Sequence, residues 1–315
     1  MAVREEFFYD SRDHKHKLRA LRWKPEGEIL CVLQLVHGMA EHIERYDAFA
    51  TYLADQGILV TANDHLGHGR SIENKEEYGY FCDDDPLTVV VRDIHRLKKM
   101  TQEQYPGKPY FILGHSMGSL LLRNYLFAYG TGIDGAILSG TASQPGLVTK
   151  PGLLVLHLIG LFKGKMYRSP FASKLVNGDC NGHIEKKRTE FDWLSRDEAI
   201  VDRYIADEAC GYLFTINGYL TLVKSVDRLN RKNLLSQMPN DLPVLFLSGE
   251  EDPVGNYGAG VKRAYEQFLK AGMRKTEMKL YPLFRHEILN EIGKEEVYED
   301  VLAFLKKNCQ DAAKG

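Results

Sequence analysis

The most reactive pattern in this sequence is a serine between two glycines, Gly-His-Ser-Met-Gly at residues 114–118. An apolar, strand-like run precedes it at residues 111–113, and a helical pattern follows it from residue 119. Where a strand turns sharply into a helix, the glycines let the two backbones come close while the central side chain is held clear of the sheet. This context predicts that Ser116 is a nucleophile.

A serine hydroxyl is a weak nucleophile at neutral pH and needs a neighbouring base. In a strand-turn-helix arrangement of this kind the partners follow in chain order, first an acid and then a histidine. His286 is the last histidine of the chain and lies between a strand-like pattern and the final helical pattern. Asp252 follows the apolar run at 244–247 and precedes a proline, which suits a turn residue that orients the histidine. Glu250 and Glu251 are nearby alternatives for the acid.

Attack on a carbonyl by this serine would create an oxyanion that needs two hydrogen-bond donors. One donor is expected from the residue after the nucleophile and one from the loop after the third strand. The backbone N–H groups of Met117 and Met39 occupy those places, and Gly38 permits a close approach of the loop.

These residues must be positioned by strands and helices that alternate along the chain. The strand-like runs cover residues 5–9, 17–23, 29–36, 58–61, 110–113, 135–138 and 244–247, with one more before His286. The helical patterns cover residues 45–56, 87–104, 119–129, 258–271 and 294–308. Such alternation predicts an α/β fold with a mostly parallel, eight-stranded sheet flanked by helices, in which the first two strands are antiparallel.

The alternation fails between about residues 143 and 238. Because this stretch is too long for a loop of a compact domain, we expect an inserted helical cap at 144–238 on a core formed by 1–143 and 239–315. Its apolar run at 152–162 is well short of the roughly 20 residues that span a bilayer. It is either a buried helix of the cap or a lid that touches a lipid surface.

Composition narrows the classes of partner. The 41 Lys and Arg residues nearly balance the 43 Asp and Glu residues, which argues against nucleic acid as a partner. The charged N-terminus lacks the apolar core of a signal peptide, so a cytoplasmic location is expected. The cysteines are odd in number and scattered, which makes a disulfide framework or a zinc ribbon improbable and leaves Cys31 as a small buried hydrophobe.

Several histidines invite a metal-site interpretation, but none lies in a His-Glu-x-x-His motif. The pairs are His14 with His16, His37 with His42, and His65 with His68. We therefore expect no metal and no organic cofactor. His65, Gly67, His68 and Gly69 are expected to shape the loop after the fourth strand, Asp64 to hold it through backbone N–H groups, and His115 to serve in packing.

Four segments, at residues 36–46, 63–71, 114–118 and 285–291, together resemble the monoacylglycerol lipase and lysophospholipase branch of the α/β-hydrolases. The resemblance runs from about residue 36 to residue 304 and is weak across the cap. It implies an α/β-hydrolase fold and hydrolysis of a single acyl chain from a glycerol-like head group, without a cofactor.

By the same resemblance Glu41 and Arg45 would lie near the head-group side of the pocket. The alternative is that they pair with each other, since residues four apart meet on a helix. Leu289 stands where this branch can carry a second histidine after the catalytic one, so the head-group preference stays open.

The sequence thus predicts a serine carboxylic ester hydrolase that releases a fatty acid from a monoacylglycerol-like lipid through an acyl-enzyme, with Ser116, Asp252 and His286 as its triad. Alternatives are a lysophospholipase, a fatty-amide hydrolase, a general short-chain carboxylesterase, and a lipid-binding protein on the same fold. The expected partner is a small lipid ester, with transient membrane-surface contact through the cap, in a monomer or a homodimer.

Overall fold

The computed structural model describes residues 2–312, within which eight strands form one sheet in the order β1-β2-β4-β3-β5-β6-β7-β8. The strands are β1 (Val3–Asp10), β2 (Lys17–Lys24), β3 (Cys31–Val36), β4 (Ile58–Asn63), β5 (Tyr110–His115), β6 (Gly135–Ser139), β7 (Val244–Gly249) and β8 (Thr276–Tyr281). β1 and β2 run antiparallel at one edge, and β3 to β8 are parallel to one another. The predicted mostly parallel sheet of the α/β-hydrolase type is confirmed.

Helices cover both faces of this sheet and also fill the long connection between β6 and β7. In chain order they are α1 (Asp47–Asp55), α2 (Pro86–Gln104), α3 (Met117–Tyr129), α4 (Gly146–Lys163), α5 (Pro170–Asn177), α6 (Glu198–Ala206), α7 (Ile216–Arg228), α8 (Lys232–Leu235), α9 (Ala259–Lys270) and α10 (Lys294–Ala312).

Successive residues of the central strands enter two separate cores. On β5, Phe111 and Leu113 join the cluster that includes residues of α1 and α10, whereas Ile112 joins the cluster that includes residues of α2, α3 and α9. Because side chains of a strand alternate between its two faces, a sheet covered on both sides reads as a continuous apolar run. This is why β3, β5 and β7 carry no polar alternation.

The strand order reverses at β3, which lies between β4 and β5. The chain leaves β3 toward one side of the sheet, returns, and continues with β5 on the other side. In open α/β sheets a crevice forms outside the carboxyl ends of the strands at such a switch point. The loop after β3 and the turn after β5 therefore meet at the same edge.

Several strands run further than their apolar patterns predicted. β4 extends to Asn63, β5 to His115 and β7 to Gly249, each beyond the last apolar residue of its run. Backbone pairing continues there, with antiparallel β2 at Asn63 and with parallel strands at His115 and Gly249, although the side chains are polar or absent. The predicted helix at 45–56 also begins later, at Asp47, because residues Ile43–Tyr46 form a 3-10 turn.

The connection between β6 and β7, residues 140–243, is called here the β6–β7 segment. It holds α4 to α8, and in the described residues its one β-bridge joins Arg168 to Thr215. The apolar run expected at 152–162 is part of α4, a longer helix of 18 residues with mean hydropathy 1.3. By length and composition alone, α4 is the one helix of residues 2–312 that could cross a membrane.

Candidate active site

Ser116 lies in the turn between β5 and α3, with φ +52° and ψ −119°. A side chain other than glycine rarely adopts positive φ, and such strain persists only where the surroundings impose it. The two flanking glycines make that turn possible. A Cβ on Gly118 would lie 2.0 Å from the carbonyl oxygen of Val36, and one on Gly114 would lie 2.4 Å from the carbonyl oxygen of Gly118.

The acid and the histidine predicted for the triad are in direct contact. His286 Nδ1 lies 3.0 Å from Asp252 Oδ1, and both side chains are buried. Asp252 also accepts hydrogen bonds from the N–H of Val254 at 2.8 Å and from Ser248 Oγ at 3.2 Å, which fixes the carboxylate in its turn after β7. Glu250 and Glu251, the alternatives, are exposed.

Two opposing effects set the charge state of His286. Burial by itself lowers the pKa of the imidazole, and the carboxylates of Asp252, Glu287 and Glu41 together raise it by more, so the pKa lies above the ordinary value of 6.5. The carboxylates therefore stabilise the imidazolium that forms when the ring takes up a proton. This is the electrostatic requirement of a general base beside a serine.

The loop after β3 approaches Ser116 closely enough to require a glycine. A Cβ on Gly38 would lie 3.2 Å from the Cβ of Ser116 and 2.7 Å from Glu41 Oε1. Ala40, two residues further, has φ +52°, so the loop bends sharply around Met39. Met39 and Met117 both line the cavity that contains Ser116.

Glu41 and Arg45 form an ion pair, with Arg45 Nη1 2.7 Å from Glu41 Oε2. Arg45 also makes two hydrogen bonds, at 2.7 and 2.6 Å, to the carboxylate of Glu287. Glu41 Oε1 accepts from the N–H of Gly38 at 2.6 Å and from the hydroxyl of Tyr46 at 2.8 Å. One buried network thus joins the loop after β3 to the residue that follows His286.

Glu287 was missed from the sequence, although its place beside His286 was a signal that could have found it. Glu41 borders the cavity, as does Glu287, whereas Arg45 lies behind them. Burial raises the pKa of Glu41, Arg45 lowers it, and the second carboxylate raises it again, so that the pKa is above its usual value. A single guanidinium shared by two buried carboxylates explains that balance.

The histidine-rich loop after β4 is buried and is held by hydrogen bonds. Asp64 accepts hydrogen bonds from the N–H groups of Ile43 at 2.9 Å and Arg70 at 3.0 Å, as predicted for a residue that holds the loop. Burial lowers the pKa of His65 to about 3 and that of His68 to about 4, so both rings are neutral. His115 packs its ring 4.8 Å from that of His286, and burial lowers its pKa as well.

The β6–β7 segment contributes contacts to His286 that sequence reasoning did not foresee. The backbone carbonyl of Trp193 accepts from the N–H of His286 at 3.3 Å, and that of Leu194 accepts from the N–H of Glu287 at 2.8 Å. The Trp193 ring lies 5.1 Å from the His286 ring. Residues far from His286 in the chain therefore contact it through both a backbone hydrogen bond and a ring.

A cavity of about 1160 Å³ opens beside Ser116 and His286. The part of its wall that comes from α4, α5 and α7 is largely apolar, whereas residues 187–190 add charged and polar side chains. The apolar part includes Val148, Val155, Val176, Leu222, Val223 and Val226. The volume is slightly above the range of roughly 300–1,000 Å³ that is typical of ligand pockets. A polar, reactive end and a long apolar end suit an ester with an aliphatic chain.

Comparison with known proteins agrees with this geometry. The model of the family Hydrolase_4, described as serine aminopeptidase, S33, matches residues 27–293. The human monoglyceride lipase is 38% identical over 272 residues, covering 86% of this chain and 80% of the human protein. The monoacylglycerol lipase of Mycolicibacterium smegmatis is 27% identical over 286 residues, covering 90% of each chain.

Among solved structures, a thermostable carboxyl esterase from Bacillus coagulans in complex with glycerol superposes with a TM-score of 0.90 at 30% sequence identity. The match covers 98% of this chain and all of the esterase chain. The similarity therefore includes the β6–β7 segment, where the sequence resemblance was weak.

Proposed function

This chain belongs to the Hydrolase_4 (serine aminopeptidase, S33) family, and on that premise we propose that it is a carboxylic ester hydrolase that releases fatty acids from monoacylglycerols. The observation that carries the proposal is the buried Asp252–His286 pair beside the strained Ser116, at the polar end of a large apolar cavity. The named relatives that cover most of the chain are lipases of that substrate class.

In the proposed reaction Ser116 Oγ attacks the ester carbonyl while His286 Nε2 takes the hydroxyl proton. His286 then returns the proton to the departing alcohol, which leaves an acyl group on Ser116. Water, deprotonated by the same imidazole, attacks the acyl-enzyme and releases the fatty acid. Asp252 holds the Nδ1 proton and so presents the free Nε2 lone pair toward the serine.

We propose the backbone N–H groups of Met39 and Met117 as the oxyanion donors. Support comes from their place on the cavity wall beside Ser116 and from the bend at Ala40, which turns the loop backbone toward the nucleophile. Met117 is the first residue of α3, where the N–H groups have no partner within the helix and the helix dipole favours negative charge.

For the head group we propose the polar wall formed by Glu41, whose side chain borders the cavity near Ser116. Arg45 would act through Glu41 and Glu287, which its guanidinium holds in place, with no direct reach into the cavity. A glycerol head group offers hydroxyl donors that a carboxylate accepts.

For the acyl chain we propose that residues 144–238 act as the inserted cap predicted from the sequence. On α4, Val148, Gly152 and Val155 line the cavity, and their spacing places them on one face of the helix. Each methylene buried there contributes about 0.8 kcal/mol of transfer free energy, which favours medium and long chains.

We also propose that α4 and α5 touch a membrane surface transiently. Beyond its cavity face, α4 exposes Leu154 (62% exposed), Leu161 (77%) and Phe162 (80%), and α5 exposes Phe171 (62%). A helix that is apolar on both faces normally has both covered. If the chain dimerises, we propose that the two copies meet through the same surface of α4 and α5.

We propose a cytoplasmic location, which the free thiols of all five cysteines support.

The test is fatty acid or amine release from a matched-chain panel of monoacylglycerol, lysophosphatidylcholine, fatty amide and short-chain ester. We expect the highest rate of hydrolysis on monoacylglycerol. A highest rate on lysophosphatidylcholine would instead indicate a lysophospholipase, one on the fatty amide an amidase, and one on the short ester a short-chain carboxylesterase. Each of these enzymes would use the same triad.

Ser116→Ala is expected to reduce release by at least about 10⁴-fold, because removal of a triad nucleophile has effects of that size or more. The exposed Ser236→Ala is the matched control and should behave as wild type. A fluorophosphonate should label wild type and the control but leave Ser116→Ala unlabelled. Wild type with neither labelling nor turnover would favour a lipid-binding protein.

A further inference from the structure

Outside the cavity, three side chains with metal-binding atoms come together: His42, Asp207 and Cys210. Their potential ligand atoms all lie within 4.8 Å of one another, and His42 Nε2 is 2.8 Å from Asp207 Oδ2. His42 and Cys210 are buried, and Asp207 is half-buried. None of the three lines the cavity beside Ser116, so the cluster is separate from the proposed reaction.

The donor set is one imidazole nitrogen, one carboxylate oxygen and one thiol sulfur. This combination suits Zn²⁺, which binds at about 2.0–2.3 Å from each kind of atom and takes four ligands in a tetrahedron. Ligand atoms in such a tetrahedron lie roughly 3.3–3.7 Å apart, given those bond lengths. To reach that spacing, the His42–Asp207 contact of 2.8 Å must open by less than about 1 Å, and Cys210 Sγ, within 4.8 Å of both atoms, must approach them by roughly 1.5 Å at most.

We propose that His42, Asp207 and Cys210 form a Zn²⁺ site that fastens the β6–β7 segment to the loop after β3. His42 belongs to that loop, three residues after Met39, whereas the other two ligands lie between α6 and α7. On binding, the Cys210 thiol releases its proton to solvent, and His42 exchanges its contact with Asp207 for a bond from neutral imidazole to the metal.

The surrounding backbone explains why a metal here would act as a clamp. The carbonyl oxygen of Ala40 accepts two hydrogen bonds from the β6–β7 segment, one from the N–H of Gly211 and one from the hydroxyl of Tyr204, both at 3.0 Å. Ala40 is the residue with positive φ beside Met39. A metal held by Cys210 would replace the His42–Asp207 contact by a stronger link beside the same bend.

The nearby positive charge of Arg45 does not prevent a cation from binding at His42, Asp207 and Cys210. Arg45 is already paired with the carboxylates of Glu41 and Glu287, at 2.7 and 2.6 Å. Two carboxylates against one guanidinium leave the neighbourhood with a net negative charge, which favours a divalent cation.

The site is tested by Zn²⁺ titration of the full-length Ser116→Ala protein, so that the result does not depend on the proposed esterase function. We expect one Zn²⁺ per chain by calorimetry, reversal by EDTA, and a rise in Tm of a few degrees at saturation, from mass action. Adding Cys210→Ser, or separately His42→Asn, should weaken binding by about 100-fold or more, since even outer-shell partners contribute 10- to 100-fold.

Cys180→Ser is the matched control, because Cys180 is a thiol of the same segment outside the cluster. It should bind Zn²⁺ as the parent does. Equal Tm values in EDTA will show that the substitutions leave the fold intact. Absence of binding at 100-fold excess over protein, or binding that Cys180→Ser abolishes and Cys210→Ser leaves unchanged, would overturn the proposal.

Discussion

The cavity has one wall at the sheet edge and another formed by α4 and α5. Each wall departs from the usual placement of charged residues outside and apolar residues inside, and the two departures are opposite. At the sheet edge, charged side chains are buried: Asp252 is 0% exposed and Glu287 is 4% exposed. On α4 and α5, large apolar side chains are in solvent. Charges are rarely fully buried unless paired, and large contiguous apolar surfaces are rarely exposed without a partner.

Each departure has its own physical explanation. The buried charges at this edge are paired, Asp252 with His286 and both Glu41 and Glu287 with Arg45, and those pairs hold the side chains around Ser116 in one arrangement. The exposed apolar side chains of α4 and α5 are not covered by other residues of the described chain. They are consistent with the transient contact with a membrane surface that we propose. Rigidity at one wall and exposure at the other are what a reaction on a poorly soluble substrate requires.

The largest expected effect lies at the sheet edge, in Asp252→Asn. Turnover should fall by about 10⁴-fold, because an amide no longer holds the imidazole in the productive tautomer or stabilises its charged form. Steady-state rates on p-nitrophenyl butyrate measure the loss. Asp241→Asn, at an exposed position, should keep the rate of wild type. If Asp252→Asn retains a tenth of the activity, Glu250 or Glu251 must be the acid.

Arg45→Met tests whether the buried network is what makes this wall rigid. The free energy of unfolding should decrease by about 3–5 kcal/mol, because two buried carboxylates lose their shared cation. Arg188→Met is the control, since the Arg188–Asp202 pair is exposed and its loss should leave the free energy of unfolding nearly unchanged. Urea unfolding compares the two, and equal changes would contradict the rigid-network explanation.

On the other wall, the double substitution Leu161→Ser with Phe162→Ser should leave hydrolysis of a water-soluble short ester unchanged, since neither residue lines the cavity. Binding to phosphatidylcholine vesicles should weaken by at least about tenfold, because burial of one such side chain contributes about 1.5–3 kcal/mol. Vesicle co-sedimentation measures it. Leu269→Ser, at an exposed position of α9, is the control, and equal effects of the two would remove α4 from the membrane contact.

The smallest effect is a shift of the pH profile. Because attack requires neutral His286, the rate of fluorophosphonate labelling should rise with pH through a midpoint above 6.5. In Asp252→Asn burial acts without the carboxylate, so the midpoint should move to lower pH. The His286–Asp252 charge pair stabilises the fold below pH 6.5, and that stabilisation is lost as pH rises through the folded-state pKa. A midpoint that does not move would contradict this origin of the pKa.

Sequence reasoning was strongest where chemistry depends on neighbours in the chain. The elbow around Ser116 needs glycines at fixed offsets, and continuous apolar runs of four or more residues mark strands buried on both faces. The fold, the family and the ester-hydrolase prediction are confirmed on that basis. The boundaries of the proposed cap stay a prediction.

Strand ends were less predictable because backbone pairing continues beyond the last apolar residue of each run. His115 and Gly249 are still paired with neighbouring strands, although nothing in their side chains indicates a strand. From the sequence, Glu41 and Arg45 could either lie near the head group or pair with each other. The structure shows that they pair, and that Glu287 also bonds to Arg45.

The sequence by itself therefore determined the turn around Ser116, the alternation of strands and helices, and the family. Only the tertiary structure decided which distant groups meet: Glu287 with Arg45, Trp193 with His286, and Asp207 and Cys210 with His42. The physical reason is that spacing along the chain specifies contacts within a turn, a helix or a strand, whereas contacts between residues far apart in the chain depend on how the loops and the β6–β7 segment pack at the sheet edge.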